Sequence, residues 1–136
     1  MQTDFHDDMA LEAEIECFAH RWFSLRNRNA PAATLAELIA PDATIRLLGE
    51  SRTVAECLDA WASRDGEILL SSHVPLRVRS RRKGDYRVRV ALRVLERTAL
   101  RNGDVRQVVQ EQRWELDIAS GDFLMTALSV DDIRDA

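Results

Sequence analysis

The spacing of hydrophobic positions changes once along the chain. Up to Gly66 apolar residues recur at steps of three and four; beyond it they alternate with polar ones. Leu11, Ile15, Phe18, Trp22 and Leu25, widened by Ala19, form one stripe of an amphipathic helix. Asp7 or Asp8 is placed to cap its start, and Asn27 to Ala30 break the pattern. Pro31 opens a short second helix with Leu35, Leu38 and Ile39 inward, ended by Pro41. Residues 43–48 predict a short strand closed by Gly49. Thr53 and Glu56 have the spacing of a capping box, which starts a third helix through Val54, Cys57, Leu58 and Trp61.

The second half predicts four strands. Val74-Leu76-Val78, Val88-Val90-Leu92-Val94 and Val108-Gln110-Gln112-Trp114-Leu116 each occupy one side of a strand, and a last strand runs from Phe123 to Val130. Turn signals lie at Lys83-Gly84-Asp85, Asn102-Gly103-Asp104 and Ser120-Gly121-Asp122. The order predicts an α+β domain: three N-terminal helices packed on a curved, mainly antiparallel sheet, α-α-β-α-β-β-β-β. A chain of 136 residues suits one domain, with loose ends expected at 1–8 and 131–136.

Composition adds a soluble, globular class: 46% hydrophobic and 31% charged residues, with no apolar run near the roughly 18 residues of a membrane span. A cytoplasmic location is expected. The net charge of −4 is segregated: residues 77–113 carry +8, residues 1–76 carry −7 and residues 114–136 carry −5. All but one of the 19 cations are Arg. Arg77, Arg79, Arg89, Arg93 and Arg113, with Glu111 and Glu115, fall on the outer side of the strands. There they suit a solvated face or a two-fold homodimer contact. Nucleic acid ranks lower, because no row of stacking aromatics accompanies the arginines. Cys17 and Cys57 are expected as buried free thiols, and no cysteine or histidine cluster has metal-ligand spacing.

Leu38-Ile39-Ala40-Pro41-Asp42-Ala43-Thr44-Ile45, then Ser51-Arg52-Thr53-Val54, and Ser71-Ser72-His73, resemble the nuclear transport factor 2-like superfamily, in its SnoaL-like and ketosteroid-isomerase-like branch. The resemblance covers nearly the whole chain. It implies a cystatin-like cone with a cavity between sheet and helices, and sheet-to-sheet homodimers. It does not bring the isomerase catalytic set. The strand-one aspartate position reads Arg46-Leu47-Leu48, the helix-one tyrosine position falls near Trp22 or Phe23, and the second carboxyl falls near Arg113. Dioxygenase small subunits share the fold but are usually longer at the N-terminus.

Six residues are candidates for the site. Gln110 and Gln112 sit on the apolar side of a strand, where buried amides need partners or a wet pocket. A bulge turning one outward, or bonding to loop backbone, is the plainer alternative. Trp22, Trp61 and Trp114 serve as pocket walls or as core anchors. His73 is the one nameable general base. Strict alternation sets it on the Arg77 side, away from a cavity, unless an irregularity at Pro75 turns it inward; a hydrogen-bonded structural histidine is the plainer reading. The expectation is a small-molecule-binding domain. As an enzyme it would be a cofactor-free isomerase, cyclase or dehydratase acting on a largely apolar substrate. The alternative is a non-catalytic homodimeric scaffold. No cofactor or metal is called for.

Overall fold

The computed structural model describes residues 5–64, 66–119 and 121–135. The elements run α1 (Phe5–Asn27), α2 (Ala32–Ala36), β1 (Ile39–Leu47), β2 (Glu50–Arg52), α3 (Val54–Arg64), β3 (Ile68–Arg82), β4 (Arg87–Leu100), β5 (Val105–Asp117) and β6 (Leu124–Asp135). The strands form one sheet in the order β2-β1-β6-β5-β4-β3. The fold is the expected α+β arrangement of helices on a curved sheet. Strands β3 to β6 form an antiparallel meander; β1 joins it in parallel with β6, a pairing the sequence pattern does not announce.

Local chemistry accounts for the helix ends. The capping box is present: the Thr53 amide donates to Glu56 Oε1 at 2.9 Å, and the Glu56 amide donates to Thr53 Oγ1 at 3.1 Å. Helix α1 ends in a Schellman arrangement. Asn29 takes φ 51°, its amide reaches the Arg26 carbonyl, and the Ala30 amide reaches that of Leu25. This fixes the last turn, and with it the direction of Asn27.

Several expected boundaries move. Helix α1 begins at Phe5, ahead of the proposed Asp7 or Asp8 cap, and β6 continues to Asp135. Residues 1–4 and 136, also expected to be loose, lie outside the described residues. Pro41 does not end α2 but sits inside β1, between Ile39 and Thr44, where the ladder to β6 is interrupted. A proline has no N–H to lose there. A short strand, β2, was not expected. Leu48 and Gly49 both take positive φ (51° and 84°) and make the two-residue hairpin that folds β2 back on β1.

The core lies between the helices and the inner side of the sheet. Ile15, Phe18, Trp22 and Phe23 of α1 and Cys57 of α3 pack with Val88, Val90, Leu92 and Val94 of β4 and Trp114 and Leu116 of β5. Cys17, expected inside, is exposed on the other side of α1. Strand β3 departs most from the pattern. Its pairing with β4 slips between Pro75 and Arg77, leaving Leu76 as an extra residue. A bulge of one residue reverses the side on which every later side chain falls. Val78 therefore faces the core as expected, but Val74 and Leu76 are exposed, and His73 is buried.

Candidate functional site

Between the helices and the far ends of β3 to β6 the packing stops short and leaves a cavity of about 600 Å³. Its buried wall comes from Trp22 and Phe23 of α1, His73 of β3, Val108, Gln110 and Gln112 of β5, and Leu128 of β6. Its rim is charged and exposed, with Glu50 and Arg52 of β2, Glu67, Arg106 of β5 and Asp132 of β6. The lining is thus mixed, with apolar and polar side chains together inside and charged ones at the opening, rather than apolar throughout.

His73 is held on three sides. Asn27 Oδ1 accepts from the His73 backbone amide at 2.7 Å and lies 2.8 Å from His73 Nδ1. A backbone N–H can only donate, so it identifies that Asn27 atom as the oxygen. His73 Nδ1 therefore carries a proton. On the other side Nε2 lies 2.9 Å from Glu96 Oε2, and the Phe23 ring stacks on the imidazole with centroids 5.9 Å apart. With Nδ1 protonated, the Nε2 contact with a carboxyl group needs one proton between them. His73 and Glu96 are thus an ion pair or share a proton. Both line the cavity, and the carboxylate is the more open of the two: 15% of the Glu96 side chain is accessible against 5% for His73.

Glu96 was missed at the sequence level, though a signal exists. It stands two residues beyond Val94, on the same side of β4 as Val88, Val90 and Leu92, and its register partner is His73. Extending the alternation by one step places a carboxylate on the inner face.

Gln110 and Gln112 both face inward and are 7% and 5% exposed. The irregularities in the β5–β6 pairing omit residues of β6, not of β5, so neither amide is turned outward. The Trp114 indole N–H donates to Gln112 Oε1 at 3.1 Å, and Gln112 Nε2 donates to Gln110 Oε1 at 3.0 Å. Trp114 itself is set one layer back. Its ring is packed by Phe18, Trp22 and Phe23, with centroids 5.6 to 6.4 Å away, and it does not line the cavity. The expectation of Trp114 as a wall is corrected accordingly: α1 covers it. Trp22 and Trp61 do line the cavity, edge to face at 5.8 Å, and the Arg26 guanidinium lies 3.8 Å from the Trp61 ring centre.

Five of the six candidates, Trp22, Trp61, His73, Gln110 and Gln112, thus come together around one space. Cys57 lies fully buried in α3, and burial pushes its thiol up to about 11, against the opposing pull of Arg26 and Arg52. Among the described residues no group of three His, Cys, Asp or Glu side chains is arranged to hold a metal, and no helix is long and apolar enough to cross a membrane.

No family model and no curated protein matches the chain. Solved structures do match. A scytalone dehydratase-like protein from Novosphingobium aromaticivorans has a TM-score of 0.86 over 95% of this chain and 88% of its own, at 11% identity. The hexachlorocyclohexane dehydrochlorinase LinA-type3 from Novosphingobium barchaimii has a TM-score of 0.81 over 98% of this chain and 93% of its own, at 14% identity. An uncharacterised protein with a cystatin-like fold from Caulobacter vibrioides has a TM-score of 0.73 over 88% and 87%, also at 14%. These likenesses give the chain the cystatin-like α+β fold that the resemblance of its sequence implies. Identities this low carry the fold alone.

Proposed function

We propose that the chain binds a small ring compound in this cavity and removes a proton from it without a cofactor, in an elimination or isomerisation. The observation that carries the reading is the Glu96–His73 pair, hydrogen-bonded at 2.9 Å in the wall of a cavity large enough for such a ligand. With both imidazole nitrogens engaged, Glu96 is the group that accepts the proton, and His73 positions it and balances its charge. In an elimination the C–H electrons become the new double bond and the leaving group departs with its own pair. The names of two structural neighbours, one a dehydrochlorinase and one likened to scytalone dehydratase, refer to eliminations and support the choice. Trp22, Phe23, Trp61 and Leu128 would pack the ring. The charged rim favours a substrate with polar substituents over a pure hydrocarbon.

The test is a panel of cyclic compounds with a hydroxyl or chlorine next to an acidic C–H. Binding is read as quenching of tryptophan fluorescence and turnover as alkene formation. The expected outcome is saturable quenching, with turnover lost about 10²- to 10⁴-fold in Glu96→Gln while binding survives. Absence of quenching across the panel, with the fold intact, overturns the reading.

A second reading, self-association through the outer side of the sheet, has its own observation. Val74, Leu95 and Val109 are register partners across β3, β4 and β5 and make an aliphatic row on the face opposite the cavity; Val109 is buried within the chain, Leu95 is partly covered and Val74 is exposed. Beside it runs Arg77, Arg93 and Glu111. A second copy of the chain would cover this row. Sedimentation should show a dimer weakened by Val74→Asp and by Glu111→Arg; a monomer at high concentration removes the idea.

A further inference from the structure

The three polar side chains of β5 form a hydrogen-bond chain with a fixed direction. An indole N–H is a donor and never an acceptor. Because Trp114 Nε1 meets Gln112 at 3.1 Å, the Gln112 atom there is the oxygen, and its amide nitrogen faces the other way. That nitrogen donates to Gln110 at 3.0 Å, so the Gln110 atom it meets is also oxygen. The Gln110 Nε2 group is then the free end. It has no hydrogen-bond partner among the described residues, yet no side-chain nitrogen or oxygen there is both sealed from solvent and unpartnered. Its N–H groups must therefore open onto the cavity that Gln110 lines.

We propose that Gln110 is the residue that selects the ligand: it presents a hydrogen-bond donor to an acceptor oxygen, as in a ring ketone, and Trp114 sets this polarity through Gln112. The proposal rests on the reading of the cavity as a ligand site and names the class of ligand it takes. An isolated glutamine can turn its amide over and offer either end. Here reversal would put the Gln112 nitrogen against the indole N–H, two donors facing each other with no water between. Phe18, Trp22 and Phe23 hold the Trp114 ring, so the donor end cannot be relieved by a rotation of the indole. At 7% exposure Gln110 meets solvent only through the cavity, so a ligand that fills the cavity must itself offer the N–H an acceptor. The same cavity wall holds the Glu96 carboxylate. A ketone held at Gln110 with its neighbouring carbon towards Glu96 would have a donor where negative charge develops on oxygen as the proton leaves.

Acetophenone and ethylbenzene differ by this oxygen and little in shape. In calorimetric titration of the intact chain, acetophenone should bind about three- to tenfold tighter than ethylbenzene, after correction for their different transfer from water. Gln110→Glu keeps an oxygen for Gln112 but offers the cavity no N–H, and should remove the preference. Trp114→Phe removes the donor that sets the direction, and should reduce it while acetophenone still binds. The wild-type protein provides a measurement that does not depend on a variant folding: the Gln110 side-chain NH₂ resonances should shift with acetophenone and stay in place with ethylbenzene. Equal corrected affinities with an unmoved Gln110 signal overturn the donor assignment and leave the ligand site standing. If neither compound binds the folded protein, the ligand site itself falls, and the proposal with it.

Discussion

The two faces of strands β4 and β5 use one backbone for opposite purposes. On the inner face Val88, Val90, Leu92 and Val94 oppose Leu116, Trp114, Gln112 and Gln110, all buried, and no side-chain polar atom sealed there lacks a partner. On the outer face Arg89, Arg93 and Arg113 stand beside Glu111 and Glu115, and the Arg89–Glu115 and Arg93–Glu111 pairs are both 3.7 Å long. Inner groups are held by what surrounds them. Outer groups are screened, and the pairing they make is loose enough for water to compete. The inner face can therefore fix direction, as in the Trp114–Gln112–Gln110 chain, while the outer face provides charge.

The largest effect should separate the two faces within a few residues of each other. Leu116→Ala leaves a hole in the fully buried core and should cost about 2–5 kcal/mol. Arg113→Ala, three residues earlier on the outer side, should change stability by no more than about 0.5 kcal/mol. Urea unfolding of both variants measures the gap, and equal losses would break the distinction between the faces.

Cysteine reactivity draws the same line on the helices. Cys57 is buried and its thiol is pushed up to about 11; Cys17 is exposed. The thiolate is the reactive form, so an aromatic disulfide reagent at pH 8 should modify Cys17 quickly and leave Cys57 at least about a hundredfold slower until denaturant is added. Two fast thiols in the native protein would mean that α3 does not cover Cys57.

Where the alternation was simple, the sequence was readable. Val88 to Val94 and Val108 to Leu116 predict their own faces, and Gln110 and Gln112 fall where the period puts them. Thr53 and Glu56 declare a helix start because both halves of the contact lie within four residues. What escaped depends on departures from the period or on distant partners. The bulge at Leu76 has one local signal, Pro75, which allows an irregularity without requiring it, yet it decides that His73 faces Glu96 and not the solvent. The wall-or-core choice for Trp114 depends on how α1 crosses the sheet. Cys17 has apolar neighbours along the chain but lies on the wrong side of the stripe. The β1–β6 pairing joins segments some eighty residues apart, and nothing local records it.

The capping box offers an intermediate case, because it is exposed but geometrically specific. Each partner satisfies an amide that the helix leaves unpaired, and the Glu56 carboxyl is held below the usual range first by the Thr53 backbone amide, then by its hydroxyl. Thr53→Ala should cost about 1 kcal/mol by urea unfolding. No measurable loss would show that water replaces the cap without penalty, and that exposure alone decides what an interaction contributes.

A small, pH-dependent effect is expected on the outer face, at Glu115. Its carboxyl is lowered chiefly by the hydrogen bond from Lys83, 2.9 Å away, with weaker attraction from Arg89 and Arg87. A carboxyl lowered in the folded state adds stability at pH values above its unfolded pKa, near 4.3. That contribution disappears as the pH falls through the lower folded value. Lys83 is half exposed, so screening reduces the benefit to about 0.2–1 kcal/mol at neutral pH. Glu115→Gln should therefore match the wild type in acid below the lowered folded pKa, fall slightly behind it above about pH 5, and recover most of the difference in 1 M salt. Glu56 titrates in the same acid range in both proteins, so their difference reports Glu115 alone. A gap that persists in high salt would place Glu115 in a drier setting than the outer face provides, which is the outcome expected if a second subunit covers it.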